Sequence, residues 1–447
     1  MMARQLRREL AAKRPIGQAT LIEDGPMMPA RLGGVGTCGP PAEEEVVTPD
    51  APTEANGSAL FVVHYSAFGG PHNRVQRVEP LLKASGWHVR IALPTEPGNA
   101  AKRLTAAGIK VIQLPLGRLR RVRDPRVHLA FLASFPRQVL RLRHLIERLE
   151  RPVVLVGTFS TPHAAIAAHL AGVPVIWHIV DSANPPLVRR AMMPLVRWLA
   201  DAVVLGGASL ETLHAGRRRL TMPTFVVSPP VDTCAFVPSV DRRRATREAW
   251  GIPLDAPLVG TVANISTMKG LEYFVDAAAL IRESRRDAHF VIVGSAHKAQ
   301  REYLRSLRDR ARLRGLAERL QFVGDRPDVE SVYPAFDVMM ITSLPRSEGT
   351  TTTAMEAMAC CVPVVATRVG AVDEVVEEGV TGYLVEPCRG DLLAERALEA
   401  LKPGMHETLG ERGRALVQER FDVRVCAERY RAAFAAAREH HARRGRV

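Results

Sequence analysis

Short apolar runs alternate with helix-length intervals along most of this chain, and this alternation limits the fold more than any other feature. A first series begins at Leu60 and recurs at 88–93, 110–114, 152–156, 173–179, 202–205 and 225–228. A second series begins at Leu258 and recurs at 289–293, 320–323, 337–341 and 362–366. Strands alternating with helices form parallel sheets covered by helices. The predicted fold class is α/β, with two Rossmann-like open parallel-sheet domains facing a central cleft.

The length of 447 residues also favours two domains. Single hydrophobic cores stop growing near about 250–300 residues, and longer chains divide. Residues before the first series combine a basic start with Pro, Gly, Glu and Thr lacking periodicity, which predicts a flexible tail. The predicted organisation is a tail at 1–58, an N-terminal domain at 59–237, a C-terminal domain at 238–422, and a helix at 423–447 that can return to the first domain.

The net charge of +14 is compatible with nucleic acid, an anionic membrane or a phosphorylated ligand as a partner. A compositional bias towards Ala and Arg in helices explains much of the excess equally well. The six cysteines include no C-x-x-C pair, which predicts reduced thiols and no zinc site. No apolar run reaches the ~18 residues needed to cross a membrane, and no secretory signal is evident. We therefore expect a cytoplasmic protein.

The segment from Ser347 to Thr367 carries the most chemical information. Glu348 opens a polar loop, and Glu356 follows eight residues later, two turns inside the predicted helix. Two carboxylates at this spacing can accept hydrogen bonds from different parts of an extended, hydroxyl-rich ligand. Backbone amides and hydroxyls at the start of a helix form a site for a phosphate or sugar oxygen. The residues expected to supply them are Gly349, Thr350, Thr351 and Thr352.

This segment resembles the paired-glutamate motif of family 4 of the nucleotide-sugar glycosyltransferases, which are retaining enzymes of the GT-B fold. The likeness continues through Glu-Ala-Met-Ala-Cys and Val-Pro-Val-Val-Ala-Thr to Val369 and Gly370. It implies a GT-B fold with an N-terminal acceptor domain and a C-terminal donor domain. It also implies that Glu348 binds hydroxyls of the transferred sugar and that Glu356 binds the donor ribose.

The same family opens its second domain with a strand, an Arg and then Lys-Gly five residues later, and the two cations hold the donor diphosphate. In this chain Lys269 and Gly270 match the second element, whereas Asn264 stands at the arginine position. The resemblance thus assigns Lys269 to the diphosphate as a catalytic residue, because a cation there stabilises the charge of the leaving group. Asn264 is expected to contribute a hydrogen bond without a charge.

Two segments of the first domain also resemble the family. Gly69 and Gly70 match its glycine loop, where backbone approaches the diphosphate and sugar because side chains are absent. Relatives often place a His directly before Asp181 at the end of a strand, but this chain has Val180 there. His178 lies two residues earlier and is the predicted catalytic imidazole if the strand end is shortened or bulged; a structural histidine is the alternative. Two further histidines that follow strands can line the cleft, namely His64 and His163.

The resemblance predicts transfer of a sugar from a nucleotide-sugar donor to an acceptor hydroxyl, with retention of configuration and front-face attack. The acceptor is a glycan, a lipid-linked molecule or a small molecule, and nucleic acid is not an expected partner. The chain lacks Asp-x-Asp, so neither a metal nor a cofactor is expected, and Lys269, helix termini and amides must meet the donor charge. Alternatives are a nucleotide-sugar epimerase or phosphorylase of the same fold, or a binding-only descendant.

The basic stretch between Arg118 and Arg151 allows two interpretations. Pro136 is expected to divide it into two amphipathic helices. Such a pair can lie on an anionic membrane at the inner face and present a lipid-linked acceptor. Alternatively its apolar face is core, as sheet-covering helices require. The sequence favours the core interpretation.

Overall fold

The computed structural model describes residues 57–118, 125–180, 185–216, 219–345, 347 and 351–445. The predicted tail therefore lies almost entirely outside the described residues. Within the described part, the chain forms two parallel β-sheets covered by helices. This confirms the predicted α/β class with two Rossmann-like domains.

The first sheet has seven parallel strands in the order β3-β2-β1-β4-β5-β6-β7. Parallel strands buried on both faces should be apolar without interruption, and β4, Val-Val-Leu-Val-Gly, shows this pattern. The strands are β1 Gly57–Val62, β2 Trp87–Pro94, β3 Lys110–Leu114, β4 Val153–Gly157, β5 Val175–Ile179, β6 Ala202–Leu205 and β7 Thr224–Val226.

The second sheet has six parallel strands in the order β10-β9-β8-β11-β12-β13. Its last strand has no counterpart in the apolar runs identified from the sequence. The strands are β8 Leu258–Val262, β9 His289–Val293, β10 Leu320–Gly324, β11 Val338–Ile341, β12 Val364–Thr367 and β13 Gly382–Val385.

Fourteen α-helices connect and cover these strands in the described residues. None of them combines the length and the apolarity required to cross a membrane. The helices are α1 Gly70–Ala84, α2 Ala100–Ala106, α3 Pro125–Glu147, α4 Pro162–Leu170, α5 Pro186–Leu199, α6 Ser209–Ala215, α7 Val240–Ala249, α8 Leu271–Ser284, α9 Arg301–Leu313, α10 Val329–Val332, α11 Thr352–Ala359, α12 Gly390–Ala400, α13 Met405–Arg420 and α14 Val423–Arg444.

The two faces of the first sheet bury different helices because neighbouring strand residues point to opposite sides. Leu60 and Val62 face the layer formed by α3, α4, α5 and α6. Phe61 faces the layer formed by α1, α2 and α14. Helix α14, at the far end of the chain, thus contributes Tyr430 and Phe434 to the core of the first domain.

The polypeptide passes between the two domains twice, and the two passages lie side by side. The amide of Val231 donates to the carbonyl of Phe421 over 2.9 Å, and the amide of Val423 donates to the carbonyl of Val231 over 2.8 Å. The Asp422 carboxylate accepts a 2.5 Å hydrogen bond from the Thr233 hydroxyl. The connector is therefore a paired, hydrogen-bonded crossing.

Helix α3 runs without a break through Pro136, so the predicted division into two helices was wrong. Proline removes one helical hydrogen bond, which costs stability when the partner carbonyl is buried. Here Pro136 is exposed, as is Leu132 one turn earlier, and water can satisfy the released carbonyl. The helix therefore tolerates the proline.

The basic stretch 242–247 belongs to helix α7 and has internal partners. Arg243 and Arg247 pair with the two oxygens of Asp337, over 2.6 and 2.8 Å. The Arg247 side chain is fully buried and also donates to four backbone carbonyls. The amide of Leu258, at the start of β8, donates to the same carboxylate over 2.7 Å. This cluster joins α7 to the second sheet.

Candidate functional site

Each sheet has a point where the chain order reverses, and ligands of open α/β sheets bind beside such points. In the first sheet this point lies between β1 and β4, and in the second between β8 and β11. The glycine loop follows β1, the Lys269 turn follows β8, and the loop that contains Glu348 follows β11. The glycine loop and the Lys269 turn thus lie at the carboxyl edges of the two sheets.

Lys269 ends a short 3₁₀ turn, Thr267–Lys269, directly before helix α8. Its backbone carbonyl accepts a 2.8 Å hydrogen bond from the Thr342 hydroxyl, which follows β11. Gly270 has a φ of +56°, and a Cβ at this position would lie 2.3 Å from the Thr342 carbonyl oxygen. Only glycine allows this approach. The Lys269 turn is therefore fixed to the loop that follows the neighbouring strand.

Asn264 is exposed in the loop between β8 and this turn. The loop itself is well anchored, because the next residue, Ile265, donates its amide to the Ser295 carbonyl over 2.9 Å. Gly294 allows a close backbone approach beside it, where a Cβ would lie 2.0 Å from the Ala263 carbonyl oxygen. The structure thus presents an uncharged amide at the position where the resemblance predicts an arginine.

Three predicted donor-binding residues, Glu348, Gly349 and Thr350, lie outside the described residues. Thr351 precedes helix α11 and Thr352 is its first residue. The Thr351 hydroxyl is buried and has no hydrogen-bond partner in the part of the chain that the structure describes. An unsatisfied buried hydroxyl at a helix N-terminus is suited to bind a ligand oxygen.

Glu356 lies one turn inside α11, not two as predicted, because the helix begins at Thr352. Its carboxylate is buried and links both domains. One oxygen pairs with the Arg77 guanidinium of α1 over 2.5 Å, and the other accepts a 2.7 Å hydrogen bond from the Tyr333 hydroxyl. Arg77 also donates to the Pro230 carbonyl over 2.8 Å. Glu356 is therefore held rigidly between α1, the connector and the second domain.

The Tyr333 hydroxyl donates and does not accept in this arrangement. Complete burial raises the pKa of Tyr333 well above its ordinary value, and the nearby Glu356 carboxylate raises it further. The phenol therefore stays protonated at neutral pH. It keeps one Glu356 oxygen fixed in position.

A second interdomain contact involves Glu374, in the turn after β12. Its two carboxylate oxygens accept hydrogen bonds from the amides of Ala208 and Ser209 at the start of α6, over 2.6 and 2.8 Å. A Cβ at Gly207 would lie 2.8 Å from one of these oxygens. Two carboxylates of the second domain thus contact the first domain directly.

His72 holds the glycine loop, a role the sequence analysis did not identify. Its Nδ1 accepts from the Gly69 amide over 3.2 Å, and its Nε2 lies 3.1 Å from the Tyr65 carbonyl oxygen. Gly70 begins α1, and no atom lies within 4 Å of where its Cβ would be. The helix start at Gly70 is therefore open to a ligand.

His178 lies within β5 and is buried on the side of the sheet that α14 covers. Its Nε2 is 3.4 Å from the Tyr430 hydroxyl, and Arg74 donates to that hydroxyl over 3.4 Å. Burial, followed by the charge of Arg74, lowers the pKa of His178 well below its ordinary value. His178 borders a cavity of about 20 Å³, with His64 on its wall. The imidazole is neutral, and its catalytic role stays a prediction.

His163 does not line the cleft, contrary to one expectation. Its side chain is fully buried in α4, with its ring centroid 5.9 Å from those of Phe131 and Phe135. Burial lowers the pKa of His163 to about 4. It is a core residue of the first domain.

The buried histidines make the fold sensitive to acid. Burial lowers the pKa of His72, like that of His163, to about 4, from 6.5. The unfolded chain therefore takes up these protons first as the pH falls. The free energy of unfolding should keep the full contribution of these histidines above about pH 6.5. It should fall towards pH 4 by roughly 3 kcal/mol for each residue. Urea unfolding at a series of pH values measures this loss.

The control for this prediction is His163→Leu, which places a side chain that cannot titrate beside Phe131 and Phe135. It should reduce the pH dependence of the unfolding free energy between pH 6.5 and 4. An unchanged dependence in the variant would show that His163 is not the group that titrates.

No group of three or more His, Cys, Asp or Glu side chains in the described ranges is placed to hold a metal ion. Metal-independent chemistry stays a prediction. Lys269 lies in the turn before α8, and Arg77 lies on α1 where it pairs with Glu356.

Two family models match the chain and together extend over both sheets. The model described as "Glycosyl transferases group 1" matches residues 242–416. The model described as "Glycosyl transferase 4-like domain" matches residues 69–229. The matched ranges contain the glycine loop, Lys269 and Glu356.

Among similar proteins, the lipopolysaccharide core biosynthesis mannosyltransferase LpsB of Rhizobium meliloti is 34% identical over 168 residues, 37% of this chain and 47% of that protein. The D-inositol 3-phosphate glycosyltransferase of Corynebacterium urealyticum is 35% identical over 166 residues, 36% of this chain and 39% of that protein. The chain thus spans less than half the length of these relatives.

Solved structures show the same fold. HepE of Anabaena in complex with UDP superimposes with a TM-score of 0.73 at 22% identity, over 85% of this chain and 100% of that one. A glycosyltransferase of Rickettsia africae superimposes with a TM-score of 0.70 at 17% identity, over 85% of this chain and 98% of that one.

Proposed function

Because the chain belongs to the group 1 glycosyltransferases, we propose that it transfers a sugar from a nucleotide-sugar donor to an acceptor hydroxyl, with retention of the anomeric configuration. The observation that carries the proposal is the hydrogen bond from the Thr342 hydroxyl to the Lys269 carbonyl. This bond links the Lys269 turn to the loop after β11, at the point where the strand order of the second sheet reverses. It fixes the backbone of Lys269 at the carboxyl edge of the second sheet.

In this proposal the donor lies along the carboxyl edge of the second sheet. Its diphosphate binds the Lys269 ammonium and the N-terminal amides of α11, where the unsatisfied Thr351 hydroxyl can donate a further hydrogen bond. Glu356 binds the ribose. Its two oxygens already accept from Arg77 and Tyr333, but a carboxylate has about four lone-pair sites, so ribose hydroxyls can still donate to it.

The proposed reaction exchanges one bond at the anomeric carbon. The acceptor oxygen forms a bond to this carbon while the bond to the diphosphate oxygen breaks on the same face. The electron pair of that bond leaves with the diphosphate, and the acceptor proton passes to a phosphate oxygen. Lys269 stabilises the negative charge that develops on the leaving group. Glu348 orients the transferred sugar, and Gly69 and Gly70 let the first domain approach it.

Uridine diphosphate sugars are the first donors to test, because HepE was solved with UDP and with UDP-glucose. For acceptors, the names of the relatives point to a lipopolysaccharide core and to D-inositol 3-phosphate. Both are rich in hydroxyls. We propose an acceptor of this class, a glycan, a lipid-linked sugar or a small polyol.

The test incubates the full chain with a panel of nucleotide sugars and hydroxyl-rich acceptors and follows nucleoside diphosphate release and product. A glycosylated product whose anomeric configuration matches that of the donor supports the proposal. Isomerised donor identifies an epimerase, and dependence on inorganic phosphate identifies a phosphorylase. Donor binding in calorimetry without turnover for any acceptor identifies a binding-only protein, and an inverted product contradicts the retaining mechanism.

A further inference from the structure

Helices α3, α4, α5 and α6 cover one face of the first sheet, and their outer surface is unusually apolar. Of the thirteen large hydrophobic side chains exposed among the described residues, seven lie on these four helices. Exposed apolar residues gathered in one region indicate an interaction site. The seven are Leu129, Leu132, Leu140, Leu170, Leu187, Trp198 and Leu213. We call this outer surface the α3–α6 face.

The outward side of α5 shows the pattern most clearly. Leu187, Arg190, Pro194 and Trp198 are all exposed. Their spacing of three or four residues places them on one stripe of the helix. The opposite side already supplies the core with Met192, Met193, Val196 and Leu199. Helix α5 therefore carries apolar residues on its outer side as well as on its inner side, and packing in the domain explains only the inner ones.

Helix α3 adds a second stripe. Leu129, Leu132 and Leu140 are each more than half exposed, and the spacing of an α-helix brings all three to one side. Arg137 and Arg141 are exposed beside them. Helix α4 packs between α3 and α5 and is mostly buried, so the two stripes flank a single surface.

Positive charge is concentrated in the same region. The four helices of this face carry seven arginines, no lysine and two acidic residues. Arg189, Arg190 and Arg197 line a groove of about 340 Å³ between α5 and α6. Arg189 and Arg197 are anchored there by hydrogen bonds to the carbonyls of Leu213 and Ala215, both of 3.1 Å.

We propose that the α3–α6 face docks on an anionic lipid bilayer. Leucine side chains enter the acyl boundary, Trp198 lies at the level of the headgroups, and arginines bind lipid phosphates. A second copy of this face is disfavoured as the partner, because both copies carry positive charge and repel each other. Duplex nucleic acid would bind the arginines but would leave the leucine stripes exposed to water. The face lies on the opposite side of the sheet from α1 and α14, so docking leaves the start of α1 uncovered.

Co-sedimentation of the full chain with vesicles tests the proposal. We expect binding to phosphatidylcholine mixed with phosphatidylglycerol, weak binding to phosphatidylcholine alone, and release by salt, which screens surface charge. Arg190→Glu changes the charge by two, so it should weaken binding to the mixed vesicles by more than about tenfold, since each charge near the surface contributes about 1 kcal/mol. Leu187→Ser combined with Trp198→Ser should weaken it by a factor of about ten.

The matched control is Arg305→Glu combined with Leu313→Ser, an exposed arginine and an exposed leucine on α9 of the second domain. This variant should bind as the wild type does, and circular dichroism checks that all variants are folded. Equal binding to both vesicle types would overturn the proposal, and so would equal binding of the wild type and the α5 variants. It would also be overturned if the wild type forms dimers without lipid and the α5 variants are monomeric. Binding to duplex DNA that is lost in Arg190→Glu and kept in the Leu187/Trp198 variant would also overturn it.

Discussion

Replacing Lys269 with alanine is expected to lower kcat for glycosyl transfer by about 10²–10³-fold, the usual effect of removing one group that stabilises developing charge. Asn264 places no charge where the family resemblance predicts a second cation, so the proposed mechanism depends heavily on Lys269. Since the negative charge grows as the diphosphate leaves, kcat should fall more than the donor KM rises. Steady-state kinetics with varied donor, using the substrate pair identified by the panel, measures both.

Two variants control for this prediction. Lys269→Arg keeps the positive charge and should retain more activity than the alanine variant. Lys402→Ala removes an exposed lysine that pairs with Glu399 on the surface of the second domain, and it should behave as the wild type. A folded Lys269→Ala variant with wild-type kcat would remove the lysine from the proposed mechanism.

Asp337→Ala is expected to destabilise the second domain by about 3–5 kcal/mol, because removing one partner of a buried ion pair leaves a buried charge without compensation. Arg247 is fully buried and Arg243 is partly buried on the same carboxylate. Burial already lowers the pKa of Arg247, and Asp337 is the first of the charges that raise it again. The variant also removes the acceptor for the Leu258 amide at the start of β8.

Urea unfolding followed by circular dichroism measures this loss. Asp337→Asn keeps an acceptor oxygen and the shape of the side chain. Its unfolding midpoint should therefore lie between those of the wild type and the alanine variant. Asp391→Ala breaks an exposed pair with Arg389 and should leave the unfolding midpoint unchanged, since exposed pairs contribute little. Equal midpoints for Asp337→Ala and the wild type would show that the cluster does not stabilise the domain.

Much of the fold could be predicted because its signals are local. Buried parallel strands are continuous apolar runs, and turns and helices separate them in the chain. The Lys269 turn was identified through its resemblance to a family motif, a strand, a short loop and Lys-Gly before a helix. Strand β13, Gly382–Val385, was not predicted because it begins with a glycine directly after a threonine, a pattern that favours a turn.

Other features depend on contacts that no local pattern records. Arg77 and Glu356 are separated by 279 positions, and nothing around either residue indicates the other. The start of α11 was misplaced because four consecutive threonines, 350–353, give no single capping signal. Pro136 was expected to break its helix, and only its exposure explains why it does not.

The position of α14 has a consequence for the order in which the protein matures on the ribosome. The core of the first domain needs Tyr430, Phe434 and Ala437, which are synthesised after the whole second domain. During translation the second domain can close its own core while the first still exposes the sheet face that α14 will cover. The first domain to be synthesised is thus the last to be completed.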